Sequence, residues 1–328
     1  MHTNPVVTLG IDISKLTFDL YFTTPEAKPV SLQLTNDGKG FRKLLKLLAP
    51  YPSVKVVMEA SGPYYYALAC FLHEQQVEVA VINPLVIKRF MQMQLKRAKT
   101  DKADAKSICE YGCLMKTPDW QPLAENYLKI KQYYSTRKQH LKHHHALSQQ
   151  LESFQVTGAA DALLMKMTRE DLTQTQERIK ALEQEMERLI QEENAVLKEQ
   201  LESIPGIGPK TSLLLIVALR GFQDFDHHKQ VISYLGLAPR IFESGTSVRG
   251  KARICKMGMG EVRSCLYMAA RSARLYNPAC KTLYDRLRAK GKAHKLAMIA
   301  VVNKLLKQAF ALAKSDQKFD PDYGLTTA

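Results

Sequence analysis

The first third of the chain is a series of short apolar runs separated by polar gaps. Residues 6–13 form an almost wholly apolar run, and residues 17–22 and 30–34 alternate between polar and apolar positions. Alternation with a period of two is typical of half-buried strands, and short polar gaps join antiparallel neighbours. The three segments therefore predict an antiparallel meander.

Two more strand patterns follow, and they alternate with helical ones. Strands are predicted at residues 54–59 and 77–82, and helices at residues 40–48, 63–73 and 101–114. Pro63 suits the first turn of its helix, because proline lacks an N–H that would find no partner there. The order of these elements predicts an α/β sheet domain over residues 1–118. Three strands and a helix come first, followed by a strand, a helix, a strand and a helix.

Residues 119–201 have the pattern of long helices. Gly158 is the single glycine of this segment, and Ile179, Leu182, Met186 and Leu189 follow a spacing of three and four. This pattern predicts two long helices around a break near Gly158, paired as a coiled coil. The pair is either a helical hairpin within one chain or a dimerisation arm, since a heptad pattern does not fix the partner.

The last third is mostly helical in pattern, with glycine-rich interruptions at residues 205–208, 236–250 and 257–260. We therefore expect three domains in all. They are an α/β domain at 1–118, a helical coiled-coil spacer at 119–201 and a mainly α domain at 202–328.

The charge of the chain is concentrated in that last third. The 328 residues include 47 Lys and Arg and 32 Asp and Glu, a net charge of +15. Residues 1–118 carry +5, residues 119–201 carry −2 and residues 202–328 carry +12. A strongly basic chain predicts a polyanionic partner, most commonly nucleic acid, and here the C-terminal part would bind it.

Composition also excludes several classes of protein. No run of about 18 uncharged apolar residues is present, so we expect no membrane span. The N-terminus lacks the basic and apolar regions of a secretory signal. The six cysteines include no Cys-x-x-Cys pair, which argues against a disulfide scaffold or a structural zinc site. The expected location is a reducing cytoplasm.

Four carboxylates stand at the ends of predicted elements. Asp12 and Glu59 end strands, and Asp101 and Asp104 are three residues apart at a helix start, where they share one face. Each one alone has a simple structural interpretation, such as a strand end or a helix cap. Together, carboxylates that converge would bind Mg²⁺, and two such ions polarise the attacking and leaving oxygens of a phosphodiester.

The blocks around these acids resemble those of the DEDD transposases, the insertion-sequence "one-ten" family that includes the Piv-type DNA invertases. The blocks are Gly-Ile-Asp at 10–12, Met-Glu-Ala-Ser-Gly at 58–62 and Thr-Asp-Lys-Ala-Asp-Ala at 100–105. The resemblance implies a RuvC-like, ribonuclease-H-type N-terminal fold. It also implies a Mg²⁺-binding acidic tetrad, whose members here are Asp12, Glu59, Asp101 and Asp104.

Two basic or glycine-rich segments predict contacts with phosphates. Lys96, Arg97 and Lys99 precede the last two acids and lie either on a solvated helix face or against a nucleic-acid backbone, and we favour the backbone. Residues 203–212 look like a helix-hairpin-helix motif, which the family also contains, rather than an ordinary turn. Its expected phosphate contacts are Gly206, Gly208, Lys210 and Thr211.

A serine in a glycine-flanked, basic loop is the last candidate. Ser244 is followed by cations that would stabilise charge on a phosphate, namely Arg249, Lys251, Arg253 and Lys256. The residues alone favour a phosphate-binding loop without chemistry, because no His or Asp base stands nearby. The family resemblance implies instead that Ser244 is the nucleophile that forms a phosphoserine link to DNA, with Ser247 as the nearest competitor.

These observations predict an insertion-sequence transposase or site-specific recombinase that uses Mg²⁺. Its expected partners are donor and target DNA and further copies of the chain, in a dimer or tetramer. The resemblance adds a structured guide (bridge) RNA. One alternative is a RuvC-like, structure-specific DNA nuclease in which Ser244 only binds phosphate, and another is a nucleic-acid-binding protein without catalysis.

Overall fold

Two units make up the chain, Met1–Leu123 and Ala124–Ala328. The computed structural model describes residues 6–24, 27–95, 101–158, 161–240, 243–244, 248–249 and 253–322. The division falls close to the prolines at 118 and 122 that end the predicted α/β domain.

The N-terminal unit contains a five-stranded sheet. Its strands are β1 Val7–Ile13, β2 Thr17–Thr24, β3 Ala27–Thr35, β4 Val54–Glu59 and β5 Glu78–Ile82. Its helices are α1 Gly38–Leu48, α2 Tyr66–Glu74, α3 Pro84–Met93 and α4 Asp101–Leu114. The strand order is β3-β2-β1-β4-β5, in which the first three strands are antiparallel and β4 and β5 run parallel to β1. The predicted α/β class is confirmed, and the three strands of the meander lie side by side.

Helix α3 is the element of this unit that the sequence pattern does not predict. The pattern indicates only the end of a strand at Asn83 and Pro84, yet a helix begins there. Asn83 Oδ1 accepts a hydrogen bond of 2.9 Å from the Leu85 N–H, and Pro84 occupies the first helical position. A capping side chain followed by proline is a helix start, so the same two residues end β5 and begin α3.

The second unit is mostly helical, as predicted. Its helices are α5 Glu125–Thr157, α6 Ala162–Glu202, α7 Pro209–Leu219, α8 His228–Tyr234, α9 Gly260–Tyr276, α10 Pro278–Ala289 and α11 His294–Ala313. The described part of this unit also contains a 3-10 helix at Arg220–Phe222 and four two-residue strands: β6 Pro239–Arg240, β7 Glu243–Ser244, β8 Val248–Arg249 and β9 Arg253–Ile254. Helices α5 and α6 pack along each other, and α5 ends at Gly158, where the break was predicted.

The two long helices share a core with the helices that follow them. Helix α7 is buried along nearly its whole length, and it packs against α5, α6 and α9. The segment predicted as a separate spacer therefore belongs to the same unit as the C-terminal third. Helix α11 is long and apolar enough for a membrane span by length and composition, but it is a core helix, with Met298, Val301 and Val302 fully buried.

A buried arginine joins three of these helices. Arg137 of α5 is 1% exposed, and its guanidinium lies 2.6 Å from Glu183 Oε1 of α6 and 2.6 Å from Glu261 Oε1 of α9. The Tyr134 hydroxyl donates a hydrogen bond of 3.0 Å to the other oxygen of Glu261. Both glutamates are partly buried, so removing the guanidinium would leave two carboxylates without their cation.

We predict that Arg137→Met lowers the free energy of unfolding of this unit by about 3 kcal/mol, because a buried pair loses one partner. Urea denaturation followed by far-ultraviolet circular dichroism measures the change. Arg188→Met is the matched control, since Arg188 also contacts two glutamates of its helix but is exposed. Equal unfolding midpoints for the two variants would contradict the prediction.

Candidate active site

The backbone places two of the predicted acids side by side in the sheet. In the parallel pairing of β1 with β4, Gly10 lies opposite Val57 and Ile11 lies opposite Met58. Continued by one residue, this register sets Asp12 beside Glu59. Successive side chains of a strand point to opposite faces, so Asp12 and Glu59 project from the face that Gly10 and Val57 share. Both acids are half-buried.

Helix α4 lies across that same face. A Cβ atom at Gly10 would overlap the backbone of Ala105 and Cys109, so the helix backbone lies directly against the strand. The Cys109 thiol donates a hydrogen bond of 3.1 Å to the Thr8 carbonyl oxygen. Burial raises the pKa of Cys109 to about 12, which keeps the thiol protonated at neutral pH.

The direction of α4 carries its first turn toward Asp12. At the other end of the helix, a Cβ at Gly112 would meet the methyl groups of Thr8 and Val57. Helix α4 therefore runs antiparallel to β1, and its first turn, with Asp101 and Asp104, lies toward the end of β1 that carries Asp12. The Asp104 side chain is half-buried. The Asp101 side chain lies outside the part that the structure describes.

Sequence reasoning missed a further carboxylate on this face. Asp19 of β2 pairs directly with Asp12 in the antiparallel register, and it is 5% exposed. Gln33, its partner on β3, donates a hydrogen bond of 2.9 Å from Nε2 to Asp19 Oδ2. Directly opposed residues project from one face, so Asp19 adds a buried acid beside Asp12. Aspartate is depleted inside strands, and that signal was present in the sequence.

A second missed residue lies beside Glu59. The Ser61 hydroxyl donates a hydrogen bond of 3.1 Å to Glu59 Oε1. This contact limits the positions that the carboxylate occupies. Among the side chains that the structure describes, which exclude that of Asp101, no three His, Cys, Asp or Glu side chains lie close enough to hold a metal ion.

The predicted serine loop is partly a two-stranded ribbon. Strand β6 pairs with β9, and β7 pairs with β8, both antiparallel, with Ser244 opposite Val248. Three residues separate β7 from β8. The sequence predicts a glycine-flanked loop here, but backbone pairing extends to Ser244 itself. Nothing is described of the Ser244 and Arg249 side chains, and residues 245–247 and 250–252, including Ser247 and Lys251, lie outside the described residues.

The base of this ribbon is fixed to the segment that follows α8. The Cys255 N–H donates to the Ala238 carbonyl oxygen at 2.9 Å, and the Lys256 N–H donates to that of Gly236 at 3.0 Å. From α9, Arg263 donates a hydrogen bond of 3.0 Å to the carbonyl oxygen of Leu235. Of the predicted phosphate contacts, Arg253 and Lys256 are exposed at this base.

The predicted helix-hairpin-helix offers fewer surface contacts than expected. Gly208 and Lys210 are exposed, but Gly206 packs against Ala269 and Ala273 of α9. Thr211 is 7% exposed, and its hydroxyl lies 3.3 Å from the Cys265 sulfur. The expectation that the Thr211 side chain contacts phosphate is therefore corrected, because α9 covers it. Gly206 is half-buried, and its contact with phosphate stays a prediction.

The basic stretch before α4 is described only in part. Lys88 and Arg89 are exposed on α3, and Arg89 donates a hydrogen bond of 2.9 Å to Gln92. Lys96, Arg97 and Lys99 lie outside the described residues.

Comparison with known proteins gives matches along most of the chain. A family model described as "Transposase" matches residues 9–156, and one described as "Transposase IS116/IS110/IS902 family" matches residues 198–285. The pilin gene-inverting proteins of Moraxella lacunata and Moraxella bovis are each 30% identical over 319 residues, which cover 95% of this chain and 97% of theirs. A putative transposase of Sinorhizobium fredii is 23% identical over 96% of this chain and 86% of its own.

Among solved structures, RuvC of Thermus thermophilus overlaps 35% of this chain and 99% of its own chain. The two are 16% identical, with a TM-score of 0.26. A similarity of this size decides nothing about the present chain.

The close approach of α4 to β1 generates a testable prediction. Gly10→Ala should lower the free energy of unfolding of the N-terminal unit by about 2 to 3 kcal/mol, because the added methyl group overlaps the helix backbone. Fluorescence of Trp120, the single tryptophan, measures this in urea because Trp120 packs within this unit.

Gly38→Ala is the control for this substitution. Gly38 begins α1, and only the Arg42 side chain lies near its Cβ position. We expect this variant to be as stable as the wild type. An unfolding midpoint of Gly10→Ala equal to that of Gly38→Ala would contradict the packing described.

Proposed function

The chain belongs to the IS116/IS110/IS902 family of transposases, enzymes that cut and rejoin DNA, and we propose that it does so through a phosphoserine formed at Ser244. The proposed reaction is a Mg²⁺-dependent transesterification. The observation that carries the proposal is the arrangement of acids at one end of the sheet, where Asp12 and Glu59 stand side by side under the first turn of α4.

The residues at this end of the sheet fit a hard divalent cation. Carboxylate oxygens are the ligands that Mg²⁺ prefers, and the proposed ligands are Asp12, Glu59, Asp101 and Asp104. When bound, Mg²⁺ polarises the attacking and leaving oxygens of a phosphodiester. Ser61 orients Glu59 through its hydrogen bond, and the buried Asp19 adds negative charge beside Asp12.

The proposed role of Ser244 is to exchange one ester bond for another. Its hydroxyl oxygen bonds to phosphorus as the bond from phosphorus to a deoxyribose oxygen breaks, while the serine loses its proton and the leaving oxygen gains one. Because one phosphodiester replaces another, the cut strand is ready to be joined to a new end. The neighbouring cations that would stabilise the developing charge are Arg249, Lys251, Arg253 and Lys256.

We assign the positioning of DNA to contacts with its backbone. Gly208 and Lys210 are exposed where α7 begins, and a helix N-terminus attracts phosphate. Lys96, Arg97 and Lys99 are proposed to contact the backbone close to the acids. These contacts set the register of a duplex without reading its sequence.

Several copies of the chain are proposed to act together, in a dimer or tetramer, because donor and target DNA must be held at once. The pairing of α5 with α6 supports a coiled-coil arm. Near the turn between them, Val156, Leu163 and Met167 are exposed, which favours a contact with another copy.

A structured guide (bridge) RNA is proposed on the family resemblance alone. Base pairing would then select the target, and the protein would read backbone and shape. Action on DNA places the proposed reaction in the bacterial cytoplasm and nucleoid.

A covalent-adduct assay tests the proposed chemistry. The purified protein is mixed with the transcript of the element's flank, donor and target DNA, and Mg²⁺. We expect a denaturant-resistant protein–DNA species with the wild type. Ser244→Ala should abolish it because the attacking oxygen is gone, and Asp101→Asn should abolish it because a proposed ligand is lost. Ser247→Ala is the matched control and should keep it.

DNA binding without metal must be the same for all four proteins, so that loss of the adduct reports on chemistry. Cleavage without an adduct, undiminished in Ser244→Ala, would instead indicate a structure-specific nuclease. An adduct that persists in Ser244→Ala would show that another residue is the nucleophile.

A further inference from the structure

A cluster of exposed cations lies where α10 turns into α11. Residues 281–295 contain six Lys and Arg and a single acid, Asp285, a net charge of +5 within a chain of net charge +15. We name the six cations the basic tip: Lys281, Arg286, Arg288, Lys290, Lys292 and Lys295. All six are exposed. None of them takes part in an ion pair among the residues that the structure describes.

The turn that carries the basic tip is ordered by its own hydrogen bonds. The Lys292 N–H donates to the Leu287 carbonyl oxygen at 3.0 Å, and the Gly291 N–H donates to that of Arg288 at 2.9 Å. This pattern is a Schellman motif, with Gly291 in the left-handed region at φ +71°. The Arg288 guanidinium also donates a hydrogen bond of 2.6 Å to the Lys292 carbonyl oxygen. The charges therefore stand on a defined surface.

Side-chain contacts also hold α10 against α11 and against α9. The Tyr284 hydroxyl and His294 Nδ1 lie 2.7 Å apart, and the Arg274 guanidinium lies 5.0 Å from the centre of the Tyr284 ring. Below the surface, Cys280 and Ala297 are fully buried. The apolar sides of α10 and α11 thus pack inward, and the cations stay in solvent.

The charge at the start of α11 is electrostatically unfavourable for the protein alone, whereas Arg286 and Arg288 suit the C-terminal end of α10. Cations at a helix start oppose the helix dipole, and α11 has no acid in its first turn and no side-chain cap. Like charges a few residues apart also repel one another. Both effects reverse when a polyanion lies on the surface, because phosphates pair with the cations and with the positive end of α11.

We propose that the basic tip binds the sugar–phosphate backbone of a nucleic-acid duplex, as a holding surface apart from the residues proposed for cleavage. Exposed cations along α10, on the turn and at the start of α11 suit a row of phosphates, and each phosphate that they neutralise releases condensed counterions. Binding is therefore expected to be independent of sequence and to weaken steeply with salt.

The test compares two triple substitutions with the same change of charge. The first is Arg286→Gln, Lys290→Gln and Lys295→Gln, which leaves Arg288 to hold the turn. The matched control is Arg42→Gln, Lys43→Gln and Lys46→Gln, three exposed cations of α1. Fluorescence anisotropy measures binding to a 30-base-pair DNA duplex and to an RNA stem of equal length, at several salt concentrations and without divalent metal.

For the basic-tip variant we expect the slope of log affinity against log salt concentration to shrink by about 2 to 3 on DNA, since each lost phosphate contact contributes about 0.9. Affinity at low salt should fall about tenfold or more. The control should keep the wild-type slope. Loss on both nucleic acids would indicate their shared backbone, and loss on only one would identify the nucleic acid held.

A charge-keeping variant is the control for misfolding. Arg286→Lys, Lys290→Arg and Lys295→Arg together must retain the wild-type slope. Equal affinities of the basic-tip and control variants at every salt concentration would overturn the inference. A salt-dependence slope that is smaller in the charge-keeping variant than in the wild type would also overturn it. Because this assay contains no divalent metal, its outcome is independent of the phosphoserine mechanism, which the adduct assay tests.

Discussion

The direct packing of helix α4 on strand β1 is the constraint on which the candidate site depends. Gly10 has no side chain, so the backbone near Ala105 and Cys109 lies against the strand, and no other residue fits there without moving the helix. This contact fixes both the distance and the direction of α4. The parallel register of β1 and β4 then determines which acid of the sheet stands beside Asp12. Backbone geometry thus brings the blocks that carry these acids to one end of the sheet, although the blocks are far apart in the sequence.

In the second unit, a short ribbon and two long helices are held on one core. Arg137 links α5, α6 and α9 through its two glutamates. Hydrogen bonds at Ala238, Gly236 and Leu235 fix the base of the ribbon that carries Ser244. The exposed cations of this unit include those of the basic tip, at the end of α10, on the turn and at the start of α11, and Arg253 and Lys256 at the base of the ribbon. Most of the positive charge of this unit therefore lies on its surface and outside its core.

Much of the α/β unit was predictable because alternating strands and capped helices leave local signals. The meander, β4, β5 and α4 all follow such signals. Helix α3 was missed because Asn83 and Pro84 end a strand and begin a helix with the same residues. An aspartate inside a strand was a local signal for Asp19, but its place beside Asp12 comes from a strand register that no local pattern encodes. The phosphate contact of the Thr211 side chain was wrongly expected because its burial by α9, more than 50 residues away in the sequence, is a tertiary effect.

The most direct test of the account is to identify the residue joined to DNA. Trypsin cleaves after Arg240 and Arg249, so residues 241–249 leave as one peptide that contains Ser244, Thr246 and Ser247. After nuclease digestion of the adduct, fragmentation of this peptide by mass spectrometry locates the bound nucleotide. The account predicts the nucleotide on Ser244, and only when Mg²⁺ was present in the reaction. A nucleotide on any other residue, or on Ser244 without divalent metal, would contradict it.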